Sequence, residues 1–96
     1  MALLSMEDVR RKIHALKGWE LVDSFLQRRY TFRSFKQAMS FVNSVANLAE
    51  AQDHHPDIII NYNRVTLKLS THIQGGITDK DFNLARLIDT QLRLND

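Results

Sequence analysis

Glu50, His54, His55 and His72 are the residues whose types and spacing point to proton-transfer chemistry. The stretch AEAQDHHPDIIINY at residues 49–62 holds two of the four histidines in the chain and its one proline. A free imidazole titrates near pH ~6.5, so it can give or take a proton at working pH. Glu50 lies four residues before His54 near the end of an expected helix, which stacks the two on one face. Its carboxylate can accept from one ring nitrogen, fix the tautomer and stabilise the protonated ring. Pro56 lacks an N–H and pushes His55 out of helical geometry into an extended one. A tight hairpin centred on Asn63-Arg64 then sets His55 across from His72. Three histidines and a carboxylate are expected to meet at the open end of that hairpin.

Three readings compete for this group. The plainest makes the histidines surface or capping residues. A second takes His54, His55 and His72 as a three-nitrogen metal site; adjacent histidines rarely aim at one ion, and no familiar ligand spacing is present. The third is metal-free acid–base catalysis by rings that titrate near working pH. No serine-centred triad and no glycine-rich phosphate loop offers a rival, since Gly75-Gly76 alone reads as a turn.

The elements that must position these side chains follow from changes in periodicity. Ser5 to Lys17 reads as a helix, with Ser5 as cap, Val9, Ile13 and Leu16 on one face, and Gly18 past its end. Residues 19–32 read as two short strands with a turn near Asp23-Ser24; Leu26, Tyr30 and Phe32 share a face that Arg28 interrupts. Ser34 opens a second helix with Gln37 three positions on, a capping-box pair. Ala38, Phe41, Val42, Val45, Leu48 and Ala49 form its apolar stripe, and it must stop near Asp53–His55. Two strands follow, with Val65, Leu67, Leu69 and Thr71 on one face of the second and His72 at its end. Thr78 caps a third helix, with Asp81 at N3 and an Ile77–Phe82 hydrophobic staple. The order α-β-β-α-β-β-α predicts a single α+β domain over residues 1–96, with a four-stranded antiparallel sheet and three helices on one face.

Composition narrows the function classes. The chain is 96 residues long, with 44% hydrophobic and 25% charged residues and a formal net charge of +2. It contains no cysteine, which removes disulfides, thiolate metal sites and cysteine nucleophiles. The short basic clusters Arg10–Lys12 and Arg28–Arg29 lack interleaved aromatic residues, so direct nucleic-acid binding is not expected. The opening MALLSMEDVRR is too short an apolar run for a signal peptide, and no stretch approaches the roughly 18 apolar residues of a spanning helix. A cytoplasmic protein is expected.

Glu50-x3-His54-His55-Pro56, then Tyr62, His72 and Asp81 at their spacings, resembles the signature of the pterin-4a-carbinolamine dehydratases. The resemblance extends to GW at 18–19, YTFRSF at 30–35, YNRV at 62–65, LSTH at 69–72 and GGITDKD at 75–81, and so spans nearly the whole chain. It implies dehydration of 4a-hydroxytetrahydropterin to quinonoid dihydropterin, in recycling of the tetrahydropterin cofactor used by aromatic amino acid hydroxylases. By this similarity His54 and His72 form the acid–base pair and His55 holds substrate. Glu50 orients and charges His54. Asp81 belongs to the signature, and its N3 capping position is a sufficient structural reason for it; Trp19 and Tyr62 stay outside the catalytic set. The resemblance also implies a homodimer or homotetramer. Its alternative is a non-enzymatic binding module, a dimerisation cofactor or coactivator with a transcription-factor partner.

Overall fold

In a computed structural model, residues 2–92 are described. The helices are α1 (Met6–Ile13), α2 (Phe35–Gln52) and α3 (Asp79–Gln91); the strands are β1 (Glu20–Val22), β2 (Phe25–Thr31), β3 (Asp57–Asn61) and β4 (Arg64–Leu69). A single 3-10 turn, His72–Gln74, lies between β4 and α3. The four strands form one antiparallel sheet in the order β1-β2-β4-β3. The α+β class and element order therefore agree with the sequence expectation.

Each helix begins at the residue whose side chain can accept a free amide. Ser5 accepts from the Asp8 amide, Ser34 from that of Gln37, and Thr78 closes a full capping box with Asp81. At Ser34 the box is incomplete, because Gln37 Oε1 accepts from the Arg33 amide, one residue early. α1 is shorter than expected. It ends at Ile13, and the chain continues in turns to Gly18, whose φ of 87° is one that glycine adopts without strain.

One sheet face carries the core. Leu26 and Tyr30 of β2 and Val65, Leu67 and Leu69 of β4 are buried against Val9, Ala38, Phe41, Val45, Phe82, Leu84 and Ile88 of the helices. Arg28 sits on that same inner face, and α3 supplies the reason it can. Its Nη1 donates to Asp89 Oδ1 at 2.9 Å, and its guanidinium lies 4.7 Å from the centre of the Tyr30 ring. Trp19 is a core residue, and its Nε1 donates to Asp89 Oδ2 at 2.9 Å. Burial raises the Asp89 pKa, and the bonds from Trp19 and Arg28 oppose that rise.

Both hairpin loops have two residues, Asp23-Ser24 and Tyr62-Asn63, and both have positive φ at the first position, 55° for Asp23 and 52° for Tyr62. The second loop corrects the expected turn at Asn63-Arg64. Asn63 is held to the end of β2, with Nδ2 donating to Phe32 O at 2.9 Å and its own carbonyl accepting from the Phe32 amide at 2.8 Å. Ile58 consequently pairs with Leu67 rather than Leu69. A slip of two residues leaves every side chain on its expected face, so the core pattern survives. The expected opposition of His55 and His72 does not, because β3 begins at Asp57 and β4 ends at Leu69.

Candidate active site

The end of α2 decides where the two adjacent histidines go. Asp53 adopts the left-handed conformation, φ 50° and ψ 44°. Its amide donates to Glu50 O at 3.2 Å, and the His54 amide donates to Ala49 O at 3.1 Å. These two bonds close a Schellman motif, which satisfies carbonyls at the helix end and turns the chain away from the helix axis. His54 therefore leaves the face it was expected to share with Glu50. Its ring is buried, 8% exposed, and Nε2 lies 2.5 Å from Asp81 Oδ1.

Glu50 pairs with His55 instead, with Oε2 2.5 Å from His55 Nε2 and both side chains exposed. The expected Glu50–His54 contact is thus corrected to Glu50–His55. Helical i, i+4 stacking needs helical backbone between the two residues, and the left-handed Asp53 interrupts it.

Asp81 is the residue that sequence reasoning assigned to capping alone. It is fully buried at the N-terminal turn of α3. Oδ2 accepts from the Thr78 amide and from the Thr71 hydroxyl, each at 2.9 Å, while Oδ1 faces His54. One carboxylate caps a helix, where the dipole favours negative charge, and also holds an imidazole. Its place in the signature, at fixed spacing from the histidines, was the signal that could have brought it into the site.

His72 opens the 3-10 turn and is exposed, rather than ending β4. Among the described residues no hydrogen bond joins its ring to Glu50, His54, His55 or Asp81. Its link to the group runs through its chain neighbour Thr71, whose hydroxyl is on Asp81. Thr71 is itself fixed by an isolated bridge to Gly76, with its amide donating to Gly76 O at 2.7 Å. Tyr62 is exposed on the β3–β4 turn, at the opposite end of that hairpin from His55. Among the described residues no group of three or more His, Cys, Asp or Glu side chains is arranged to hold a metal ion.

The arrangement is two imidazole–carboxylate pairs joined by the His54–His55 peptide bond, one pair buried and one exposed, at one end of a helix-backed antiparallel sheet. Fold and cluster define a class of small α-β-β-α-β-β-α proteins with histidine–carboxylate pairs at the C-terminal end of the central helix. The family described as pterin 4 alpha carbinolamine dehydratase matches residues 2–91, and the chain belongs to it. A relative from Thermomicrobium roseum, which carries a provisional pterin-4-alpha-carbinolamine dehydratase name, is 50% identical over 86 residues, covering 90% of this chain and 92% of that protein. A crystal structure of a transcriptional coactivator/pterin dehydratase from Brucella melitensis is similar with a TM-score of 0.84 and 35% identity, over 90% of this chain and 94% of that one. A pterin dehydratase-like protein identified as a RuBisCO assembly factor in the alpha-carboxysome shares the fold, with a TM-score of 0.62 and 22% identity over 80% and 89% of the two chains.

Proposed function

We propose that the chain dehydrates 4a-hydroxytetrahydropterin to quinonoid dihydropterin by histidine acid–base catalysis, in tetrahydropterin recycling. The observation that carries this reading is the buried His54–Asp81 pair, bonded side by side with the exposed His55–Glu50 pair. In the reaction the C4a–O bond breaks and a proton from the acid turns the departing hydroxyl into water. The base takes the N5 proton, and its electron pair forms the N5=C4a double bond. His54 and His72 are the acid–base groups, and His55 holds the pterin. Asp81 orients His54, and Glu50 acts through His55. The chemistry requires neither a metal nor an organic cofactor. The test is acceleration of the carbinolamine-to-dihydropterin absorbance change by purified protein.

The revised partner of Glu50 changes what its substitution should do. Glu50→Gln removes a charge-assisted bond to an exposed, substrate-holding ring. It should raise KM by up to about tenfold, the equivalent of one hydrogen bond, with kcat nearly unchanged. Steady-state kinetics read this directly; a fall in kcat at constant KM would place Glu50 on the chemistry instead.

A second reading, as a binding module, draws support from the coactivator half of the Brucella melitensis protein's name. It assigns no work to two imidazole–carboxylate pairs, and the absorbance assay separates it from the first. We further propose that the chain acts as one unit in the cytoplasm; no helix among the described residues is long and apolar enough to cross a membrane. It should self-associate as a homodimer or homotetramer, since the edge strand β3 exposes Ile59 and Ile60 and leaves backbone groups unpaired. Light scattering at micromolar concentration is expected to give two or four times the 11.2 kDa chain mass, and the single-chain mass would refute it.

A further inference from the structure

The hydroxyls of Thr71 and Thr78 lie 2.8 Å apart, directly beneath the carboxylate that holds His54. Donor and acceptor accounting gives this pair a direction. The Lys80 amide can only donate, and it does so to Thr78 Oγ1 at 3.2 Å. Thr71 Oγ1 donates to Asp81 Oδ2 at 2.9 Å, which uses its single proton. The proton between the two threonines therefore belongs to Thr78, which donates to Thr71. The chain runs one way: Lys80 amide, Thr78 hydroxyl, Thr71 hydroxyl, Asp81 Oδ2. The Thr78 amide adds a second donor to the same oxygen at 2.9 Å.

Two donors converging on Oδ2 use that oxygen as an acceptor and leave Oδ1 to His54 alone. A carboxylate Oδ1 accepts, so His54 Nε2 carries the proton, and in the neutral ring Nδ1 holds the lone pair. Thr71 thus reaches both acid–base groups: His54 through Asp81, and His72 through the backbone. Its carbonyl accepts from the Gln74 and Gly75 amides at 3.0 Å each, which fixes the turn that opens with His72.

We infer that Thr71 is a positioning residue, whose hydroxyl, polarised by Thr78, holds Asp81 as an acceptor and thereby selects the Nε2-protonated tautomer of His54, leaving Nδ1 to exchange the proton with substrate. This rests on the acid–base reading of His54. Thr71→Val keeps the shape and removes the hydroxyl; Thr71→Ser keeps the hydroxyl. Nitrogen-15 spectra of histidine-labelled protein, read beside kcat and KM, supply the test. Wild type is expected to give the Nε2-protonated signature for His54. Thr71→Val should mix the tautomers and lower kcat about tenfold, the cost of one hydrogen bond to a charged group, with KM little changed. Thr71→Ser should restore both signals.

A wild-type tautomer signature or a wild-type kcat in Thr71→Val, or a Thr71→Ser variant that restores neither, overturns the inference. Should Thr71→Val fail to fold by circular dichroism, Thr71→Ala is read by the same two signals. If the wild-type chain turns over no pterin, the acid–base reading fails by itself, and the tautomer signal alone still decides the role of Thr71.

Discussion

Turnover of the 4a-hydroxypterin should disappear in the His54→Ala/His72→Ala double variant, while each single variant retains part of it. A lost general acid or base typically costs about 10²–10⁴-fold, and less where a second ring substitutes. The two histidines stand in different settings. His54 is buried on Asp81, whereas His72 is exposed on the 3-10 turn. His54→Ala also leaves the Asp81 carboxylate without its imidazole partner, so this single change should lower both stability and turnover. His72→Ala should lower turnover and leave stability nearly intact. Steady-state kinetics and urea unfolding on the three variants check these outcomes together. Wild-type turnover in the double variant would remove both residues from the chemistry.

Asp81→Ala should be the most destabilising single change in the site. It leaves the Thr78 amide, the Thr71 hydroxyl and His54 Nε2 without their acceptor, all next to a fully buried position. Leaving a buried hydrogen-bonding group without its partner costs about 1–3 kcal/mol, and here three donors lose theirs at once. A domain of this size has on the order of 5–14 kcal/mol in total. The midpoint of thermal unfolding should fall by roughly 4–8 °C for each kcal/mol lost. Asp81→Asn separates the two duties of the residue. Its amide oxygen can still cap Thr78 while its NH2 faces His54 Nε2, which reverses the tautomer the ring must adopt. This variant should stay folded and lose at least about tenfold in kcat, by the same logic that makes an Asp→Asn change costly behind a catalytic histidine in serine proteases. Urea unfolding followed by circular dichroism measures the first effect; a loss below about 1 kcal/mol for Asp81→Ala would contradict the account of its burial.

The element order was legible because local chemistry and periodicity agree. Ser5, Ser34 and Thr78 stand where free amides need an acceptor, Pro56 ends the helical pattern, and Val65, Leu67 and Leu69 alternate as a half-buried strand must. The β3–β4 turn was read one residue late because its position depends on Asn63 being tied to Phe32, just past β2, a tertiary bond that no local pattern encodes. Arg28 looked like a break in the inner face of β2; its partner Asp89 lies 61 residues away.

The site divides along the same line. The histidines and Glu50 stood out by residue type, but their pairing turned on the left-handed backbone at Asp53. Helical spacing counts residues as though the helix continued, and one residue outside it exchanged the partner of Glu50 from His54 to His55. Asp81 was visible as a cap, since capping is local; its bond to His54 spans 27 residues and follows from the packing of α2 against α3.

The most direct test of acid–base catalysis by this histidine group uses chelator-treated wild-type protein and synthetic 4a-hydroxytetrahydropterin. The absorbance change as carbinolamine becomes quinonoid dihydropterin is followed in stopped flow, beside buffer alone and beside the His54→Ala/His72→Ala variant. The account expects the treated protein to outpace both controls, with the double variant matching buffer. A wild-type rate equal to the spontaneous one, or acceleration that appears only when a metal ion is restored, would contradict it.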